Sequence, residues 1–292
     1  MITKNLTLGL IESPPKPHEL KDNTLSSNSK PFSSSPLPDY RPYLTRFESQ
    51  IGSYGDTDSC VSFAALNNLE VCLKMRYSLE LNMSDRFTAV MSGTIPNVGN
   101  TFTNVTESII NDGFVFEDFY PWDRWSKEDY HQPIPNHYGK YQPPQCSLKK
   151  RALLQKQDFH ITKRWVGWGG VEKEQLKQAL KFGPMMITIF AGFPPDEHGV
   201  YHYETTYNNH AVLLVHIDED GTLYCFDHYA SKKIRRVGSD SYIGAALQLD
   251  ITINKDVSAL GFSSIFKAKH GRLPTVAEHQ SWIQAGSDFA QL

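Results

Sequence analysis

Long apolar runs are missing from this sequence. None approaches the about 20 residues that a helix needs to cross a bilayer, and the mean hydropathy is −0.42. The opening, MITKNLTLGLIESPPKP, holds an apolar stretch, LTLGLI, too short for a signal-peptide core. Neither a membrane partner nor a secretory signal is expected, which points to a cytoplasmic protein or one carried in a larger assembly. The N-x-[ST] matches at Asn5, Asn82 and Asn104 then read as chance. An excess of one charge is also missing: 29 basic residues face 32 acidic ones, a net of −3. That balance argues against a protein that coats nucleic acid or anionic lipid.

Cysteine is scarce. Cys60, Cys72, Cys146 and Cys225 are the only four, with no CxxC pair, so a zinc ribbon is not expected. Cys60 and Cys72 share one helical pattern, which separates them by about 18 Å at about 1.5 Å per residue. A disulfide needs Cα atoms within about 7 Å, so these two are not bonded to each other. What is plentiful is apolar residue, 40% of 292. A chain of that length can bury roughly three quarters of its unfolded surface. Wholesale disorder, a collagen-like fibre and a disulfide mini-scaffold are excluded, and one or two domains are expected.

Residues 1–39 hold six of the 17 prolines and the run SSNSKPFSSSPLP, and read as an extended, weakly ordered arm. A globular domain follows over residues 40–255, helical over about 55–150 and β-rich over about 151–255. Residues 256–292 form a C-terminal extension. The segment 59–79 is apolar on most sides, as a buried helix is. A second helix spans 103–112 and ends at Gly113. Residues 126–150 are polar with four prolines and read as a long loop. An amphipathic helix at 171–183 is closed by Gly183-Pro184. Strands follow at 185–190, 210–217, 222–227 and 241–253. Helices first and strands second make an α+β layout.

Cys60 is the cysteine whose placement suggests chemistry. It follows GDTDS and opens the buried helix, where the positive end of the helix dipole favours thiolate. A nucleophilic thiol needs a base, and the base an orienting group. His210 and Asp227 lie on two strands joined by a turn. With an even number of loop residues the cross-strand register sum is odd, which places His210 and Asp227 on one face, opposite or diagonal by two. Asp227 then holds one imidazole nitrogen while the other faces the thiol, and His228 points the other way.

These residues sit in a familiar order. Cys60-Val61-Ser62-Phe63-Ala64 resembles the start of the central helix in papain-like cysteine peptidases. LPDYRP (37–42) resembles the opening of their mature domain. Asn111-Asp112-Gly113 through Tyr120-Pro121-Trp122, Gly183-Pro184 before MMITI, Gly199-Val200-Tyr201, and Asn209-His210-Ala211-Val212 match further pieces over residues 37–253. The resemblance implies a divergent member with a helical lobe carrying Cys60, a β-barrel-like lobe carrying His210, and extended peptide or protein substrate in the cleft between. It implies Cys60 as nucleophile and His210 as base, with Asp227 where the family usually has Asn. By the same resemblance Gly99 and Asn100 line the cleft, and no metal or cofactor is required.

Three departures stand out. Six residues before the cysteine, where the family carries an oxyanion Gln, stands Tyr54; Gln50 takes that role only if four residues are inserted. The family's Asn-Ser-Trp-Gly is replaced by Asp227-His228-Tyr229-Ala230, with Tyr229 available to shield the His–Asp pair. The segment before Leu37 is too short and too rich in Pro and Ser for the family's long inhibitory propeptide. The alternative function is therefore a catalytically weak or inactive papain-fold module in a larger assembly such as a viral particle, docked through residues 1–39 or the C-terminal extension. Elsewhere, His198 and His202 read as loop residues without a metal. KKIRR (232–236) reads as a solvated strand or loop, and RWVGWGG (164–170) as packing at a lobe junction.

Overall fold

The structure, a computed structural model, describes residues 9–16, 19, 31–52, 55–95, 97–121, 145–192, 194–203, 206–229, 233–254, 272 and 274–284. Of the site candidates, Tyr54 lies outside these residues.

The central helix α1 (Cys60–Tyr77) buries every residue from Cys60 to Leu73 and ends at Ser78, whose φ of 55° is left-handed. Burial on nearly every side suits a helix apolar on most of its surface, and it takes in the polar Ser62, Asn67, Asn68 and Glu70 as well. Helix α2 (Asp85–Met91) is capped by Ser84, whose hydroxyl accepts from the Phe87 N–H. Helix α3 (Phe102–Asp112) is capped the same way by Thr101 and Asn104. Gly113 then turns with φ 81°, and a Cβ there would meet the Ala152 carbonyl oxygen at 2.3 Å. That close approach fixes α3 against α4 (Gln145–Gln157). Helix α4 corrects the expected loop to residue 150. Its Leu148 and Ala152 pack with Phe87, Val115 and Phe119, so tertiary burial overrides a weak local signal.

The second half is a seven-stranded sheet, ordered β3-β9-β4-β6-β7-β8-β5. The strands are β3 (Phe159–Trp168), β4 (Met185–Ile189), β5 (Val200–Tyr201), β6 (His210–Ile217), β7 (Leu223–Phe226), β8 (Ile234–Val237) and β9 (Ala245–Ile253). Neighbours are antiparallel except β5 and β8. On one face Met186, Leu247, Leu249 and Ile251 pack with Leu66, Leu69 and Leu73 of α1. Val212, Ile187 and Ile189 join Leu176 and Leu180 of α5 (Lys173–Leu180) in a second cluster. RWVGWGG runs through the end of β3, where Trp165 is buried, into a turn at Gly169 and Gly170.

Parts of the termini lie on this body. Phe32 donates its N–H to Lys181 O at 2.8 Å and lies under the Arg76 guanidinium. Tyr40 donates its N–H to Val215 O and its hydroxyl to Leu180 O. Helix α6 (Val276–Gln284) is held near α4 through Arg151, which donates to Pro274 O at 2.6 Å. Among the described residues no helix is long and apolar enough to cross a membrane.

Four carboxylates, Glu48, Glu70, Asp85 and Glu117, are buried where α1, α2 and their neighbouring loops meet. Glu70 accepts the Met83 N–H at 2.6 Å and the Thr45 hydroxyl at 2.9 Å. Burial pushes its carboxyl up to about 8, with Glu48 adding to the rise. Asp85 is raised by burial and by the charges of Glu48, Glu70 and Glu117. A folded-state pKa raised above the unfolded value means that the folded state holds the extra proton. Stability from Glu70 is full at acidic pH and falls as pH rises from about 4.5 towards about 8. Glu70→Gln, an isostere that can keep both hydrogen bonds, should gain in melting temperature over wild type as pH rises through that window. A constant difference across the window, followed by calorimetry, would show that Glu70 does not carry this linkage.

Candidate active site

Cys60 occupies the first position of α1, and its side chain is buried. Burial pushes its thiol up; the Ala211 N–H, which reaches the sulfur, opposes this, while Asp56, Asp227 and Asp58 add to the rise. Ala211 follows His210 directly, so the first turn of α1 lies against the start of β6.

His210 is fully buried, and its Nε2 lies 2.8 Å from Asp227 Oδ1. The pairing depends on a detail of register. Next to the turn, Ile217 faces Leu223 and His216 faces Tyr224, a sum of 440; beyond a bulge, Leu214 faces Cys225 and Leu213 faces Phe226, a sum of 439. The loop between paired ends is thus 218–222, an odd length, which corrects the even loop expected. Uncorrected, an even sum would turn His210 and Asp227 to opposite faces. The bulge restores the odd sum and sets them diagonal by two on one face.

Asp227 accepts from three directions. Oδ1 takes His210 and the Tyr229 N–H at 2.9 Å, and Oδ2 takes the Nε of Arg235. Burial alone would raise this carboxyl, but the charges and hydrogen bonds of His210 and Arg235 hold it down at about 2. An ionised Asp227 only accepts, so Nε2 carries the imidazole proton. Nδ1, buried and without a hydrogen-bond partner, is the nitrogen left for the thiol. The Tyr229 ring stands edge-on to His210, centroids 4.7 Å apart, over the His–Asp pair. His228 turns away, between Phe47 and Phe63, and burial lowers it to about 4.

Arg235 corrects the expectation that KKIRR is solvated: it is 7% exposed. Strand β8 alternates half-buried and buried, so Arg235 shares the inner face with Val237. Its Nη1 donates to the Tyr203 hydroxyl at 2.9 Å, and its guanidinium lies 4.2 Å from the Tyr201 ring centroid.

Gln50 is buried, and a short hairpin takes up the segment between it and Cys60: β1 (Ile51–Gly52) pairs with β2 (Gly55–Asp56). Its amide is engaged, however. Nε2 donates to Asp56 Oδ1 and to the Tyr229 hydroxyl, each at 2.9 Å, and Tyr229 donates in turn to Asp56 Oδ2. Both amide hydrogens are used.

Gly99 and Asn100 are covered by the N-terminal arm. Ile11 donates its N–H to Asn100 O at 2.8 Å, and Asn100 donates its N–H to Gly9 O at 3.0 Å. A Cβ on Gly99 would lie 2.0 Å from the Gly9 carbonyl carbon, and one on Gly9 would lie 2.5 Å from Asp58 O. Leu10 is buried in the same cluster as Cys60 and Ala211. Glu12 accepts from Asn208 at 3.0 Å. The arm therefore spans from Asp58, two residues before the thiol, to Asn208, two residues before the imidazole. His202 lies apart, held by Asp240 and Asp196 at 2.9 and 3.2 Å.

The thiol at the N-terminus of the buried helix α1 thus lies beside the start of β6, where His210 is paired with Asp227. Comparison with solved structures gives the fold: it is that of the papain-like cysteine proteases. Digestive procathepsin L 3 of Tenebrio molitor larval midgut superposes with a TM-score of 0.56 at 16% identity, over 84% of this chain and 76% of that one. The Carica candamarcensis cysteine protease CMS1MS2 gives 0.52 at 14% identity, over 74% of this chain and 98% of that one. The cysteine protease and lectin-like domains of Cwp84 from Clostridium difficile give 0.54 at 14% identity, over 78% and 54%. No protein-family model matches the chain, and no curated protein matches it significantly.

Proposed function

We propose that the protein is a cysteine peptidase acting on an extended peptide, with Cys60 as nucleophile, His210 as base and Asp227 as orienting acid. The observation that carries this is the imidazole itself: Nε2 is bound to a buried carboxylate while Nδ1 is buried and free beside the helix start that holds the thiol. The Nδ1 atom takes the thiol proton as sulfur attacks the scissile carbonyl, and a carbon–sulfur bond forms. The proton passes to the leaving amine as the carbon–nitrogen bond breaks, and water then hydrolyses the thioester. The Cys60 N–H, in the first helical turn, has no intrahelical carbonyl to bind and is available to the oxyanion. Gln50 joins it only on leaving Asp56 and Tyr229. Because its amide is engaged in the resting state, Gln50→Ala should cost less than the about 10²- to 10³-fold typical of an oxyanion donor. Asp56→Ala should raise turnover and make a second change at Gln50 more costly. Equal Gln50→Ala effects in both backgrounds would remove Asp56 from this account.

The engaged amide and the covered cleft also support a second reading, a papain fold retained as a binding module that docks through residues 1–39 or the C-terminal extension. Cys60→Ser separates the two. In a peptidase it abolishes turnover of a mixed peptide library and leaves the fold intact. In a binding module there is no turnover to lose.

A further inference from the structure

We infer that His228 is a positioning residue for the oxyanion donor: it fastens the backbone that carries Gln50 to α1 and to the segment that carries Asp227, so that base and donor keep one register. The consequence for rate rests on the peptidase reading; the geometry does not. His228 is 5% exposed, and each of its ring nitrogens meets a partner. Nδ1 lies against the Glu48 carbonyl oxygen, which accepts, so Nδ1 carries the proton. Nε2 is then the acceptor, and it faces Asn67 Nδ2 of α1 at 3.1 Å. That amide is oriented in turn by its bond to Phe63 O at 2.7 Å. The His228 carbonyl accepts the Gln50 N–H at 3.2 Å. Residues 48 and 50 are therefore both tied to residue 228, one through its ring and one through its backbone.

Packing alone does not call for an imidazole at this position. The ring lies parallel to Phe47 with centroids 5.8 Å apart, and against Phe63 and Phe226 at 4.4 and 4.9 Å. A phenyl ring would fill that nest as well. A buried imidazole costs free energy unless both nitrogens are bonded, and here both are. What the two bonds add is a tie between three pieces of chain. The hairpin β1–β2 begins directly after Gln50, whose carbonyl accepts the Thr57 N–H at 3.3 Å across the hairpin base. A two-stranded hairpin is marginal by itself, so its base has to be held from outside. His228 does this for the Gln50 backbone, and Tyr229, the next residue, holds the Gln50 amide at 2.9 Å. Asp227, on the other side of His228, holds His210. Three consecutive residues thus set the base, the backbone of the donor and its side chain.

The test follows Gln50 in the full chain by nuclear magnetic resonance, with its side-chain amide signals assigned by their loss in Gln50→Ala. His228→Phe keeps the ring nest and removes both imidazole bonds. It should displace and broaden the Gln50 amide signals while the ring C–H signals of His210 stay in place. His228→Leu serves in the same way if His228→Phe does not fold. In turnover, His228→Phe should lower kcat by no more than Gln50→Ala does, with KM little changed. In a Gln50→Ala background it should cost less than about a further twofold, because both changes act on one donor. Alkylation of Cys60 by a small haloacetamide builds no oxyanion and should change by less than about twofold. Gln50 signals that stay in place in the Phe and Leu variants would overturn the inference. So would His210 signals displaced as far as those of Gln50, or alkylation slowed as much as turnover, since His228 would then support the site only as a whole. Displaced Gln50 signals in a chain that turns over no peptide would uphold the fastening and count against the peptidase reading alone.

Discussion

A chain lacking residues 1–16 should react with a thiol alkylator at Cys60 on the order of 10² times faster than the full chain. The arm is tied down by two backbone hydrogen bonds to Asn100, by burial of Leu10 and by Glu12 on Asn208. Net values of about 1 kcal/mol per neutral hydrogen bond and about 2 kcal/mol for the leucine give an opening cost of roughly 4 kcal/mol. The entropy regained by a released segment offsets part of that. What remains is enough to keep the arm seated most of the time and to limit reaction to its brief openings. Removing it also brings water to Cys60, and burial is the largest influence holding that thiol protonated. Leu10→Asp should act in the same direction. The measurement is the alkylation rate at neutral pH, with the modified cysteine located by peptide mass spectrometry. Equal rates with and without the arm would mean that the segment does not guard the thiol.

Asp227→Ala should be the most damaging single change to the fold of the site. It strands the Arg235 guanidinium, buried and without its anion, and breaking a buried ion pair from one side costs about 3–5 kcal/mol. For a chain of this size that corresponds to a fall in melting temperature of about 10 °C. His210 loses its anchor at the same time, so Cys60 alkylation should fall by roughly 10² or more even where the protein remains folded. Asp227→Asn keeps an acceptor for His210 and should lose less of the reactivity. The stabilising contribution of Asp227 also has a pH signature. Its folded pKa is depressed to about 2, so the stabilisation is present above the unfolded carboxylate range and is lost as pH falls through that range towards about 2. A melting temperature for Asp227→Ala close to wild type would show that the Arg235 contact carries little.

Much of this site can be read from the chain. Cys60 at the head of a helix apolar on most sides, and His210 and Asp227 on adjacent strands, follow from periodicity and spacing, and the fold agrees with the family that the motifs resemble. His210 and Asp227 share a face, but not by the parity of the loop. The loop is odd, and a bulge between Leu214 and His216 compensates; bulges have no reliable signature in a Val/Leu-rich strand. From the sequence Gln50 is only a conditional candidate, because a four-residue insertion has no local signature before the hairpin Ile51–Asp56 closes. The engagement of Gln50 by Asp56 and Tyr229 joins three distant segments and has no local signal. Arg235 had one: alternation in IRRV puts it on the face of Val237, and a run of basic residues obscured this. The path of residues 9–12 across Asp58, Asn100 and Asn208 was hidden because an extended segment without periodicity declares neither direction nor destination.

The central claim is that Cys60 and His210 form a live nucleophile–base pair. Its most direct test is labelling with an epoxide inhibitor selective for papain-type thiols, read by peptide mass spectrometry from about pH 4 to about pH 9, with and without residues 1–16. The account predicts labelling at Cys60 alone, persisting well below the about 8.5 of an ordinary thiol, faster without the arm and abolished by His210→Ala. Labelling spread over the four cysteines, or labelling of Cys60 indifferent to His210→Ala, would contradict it.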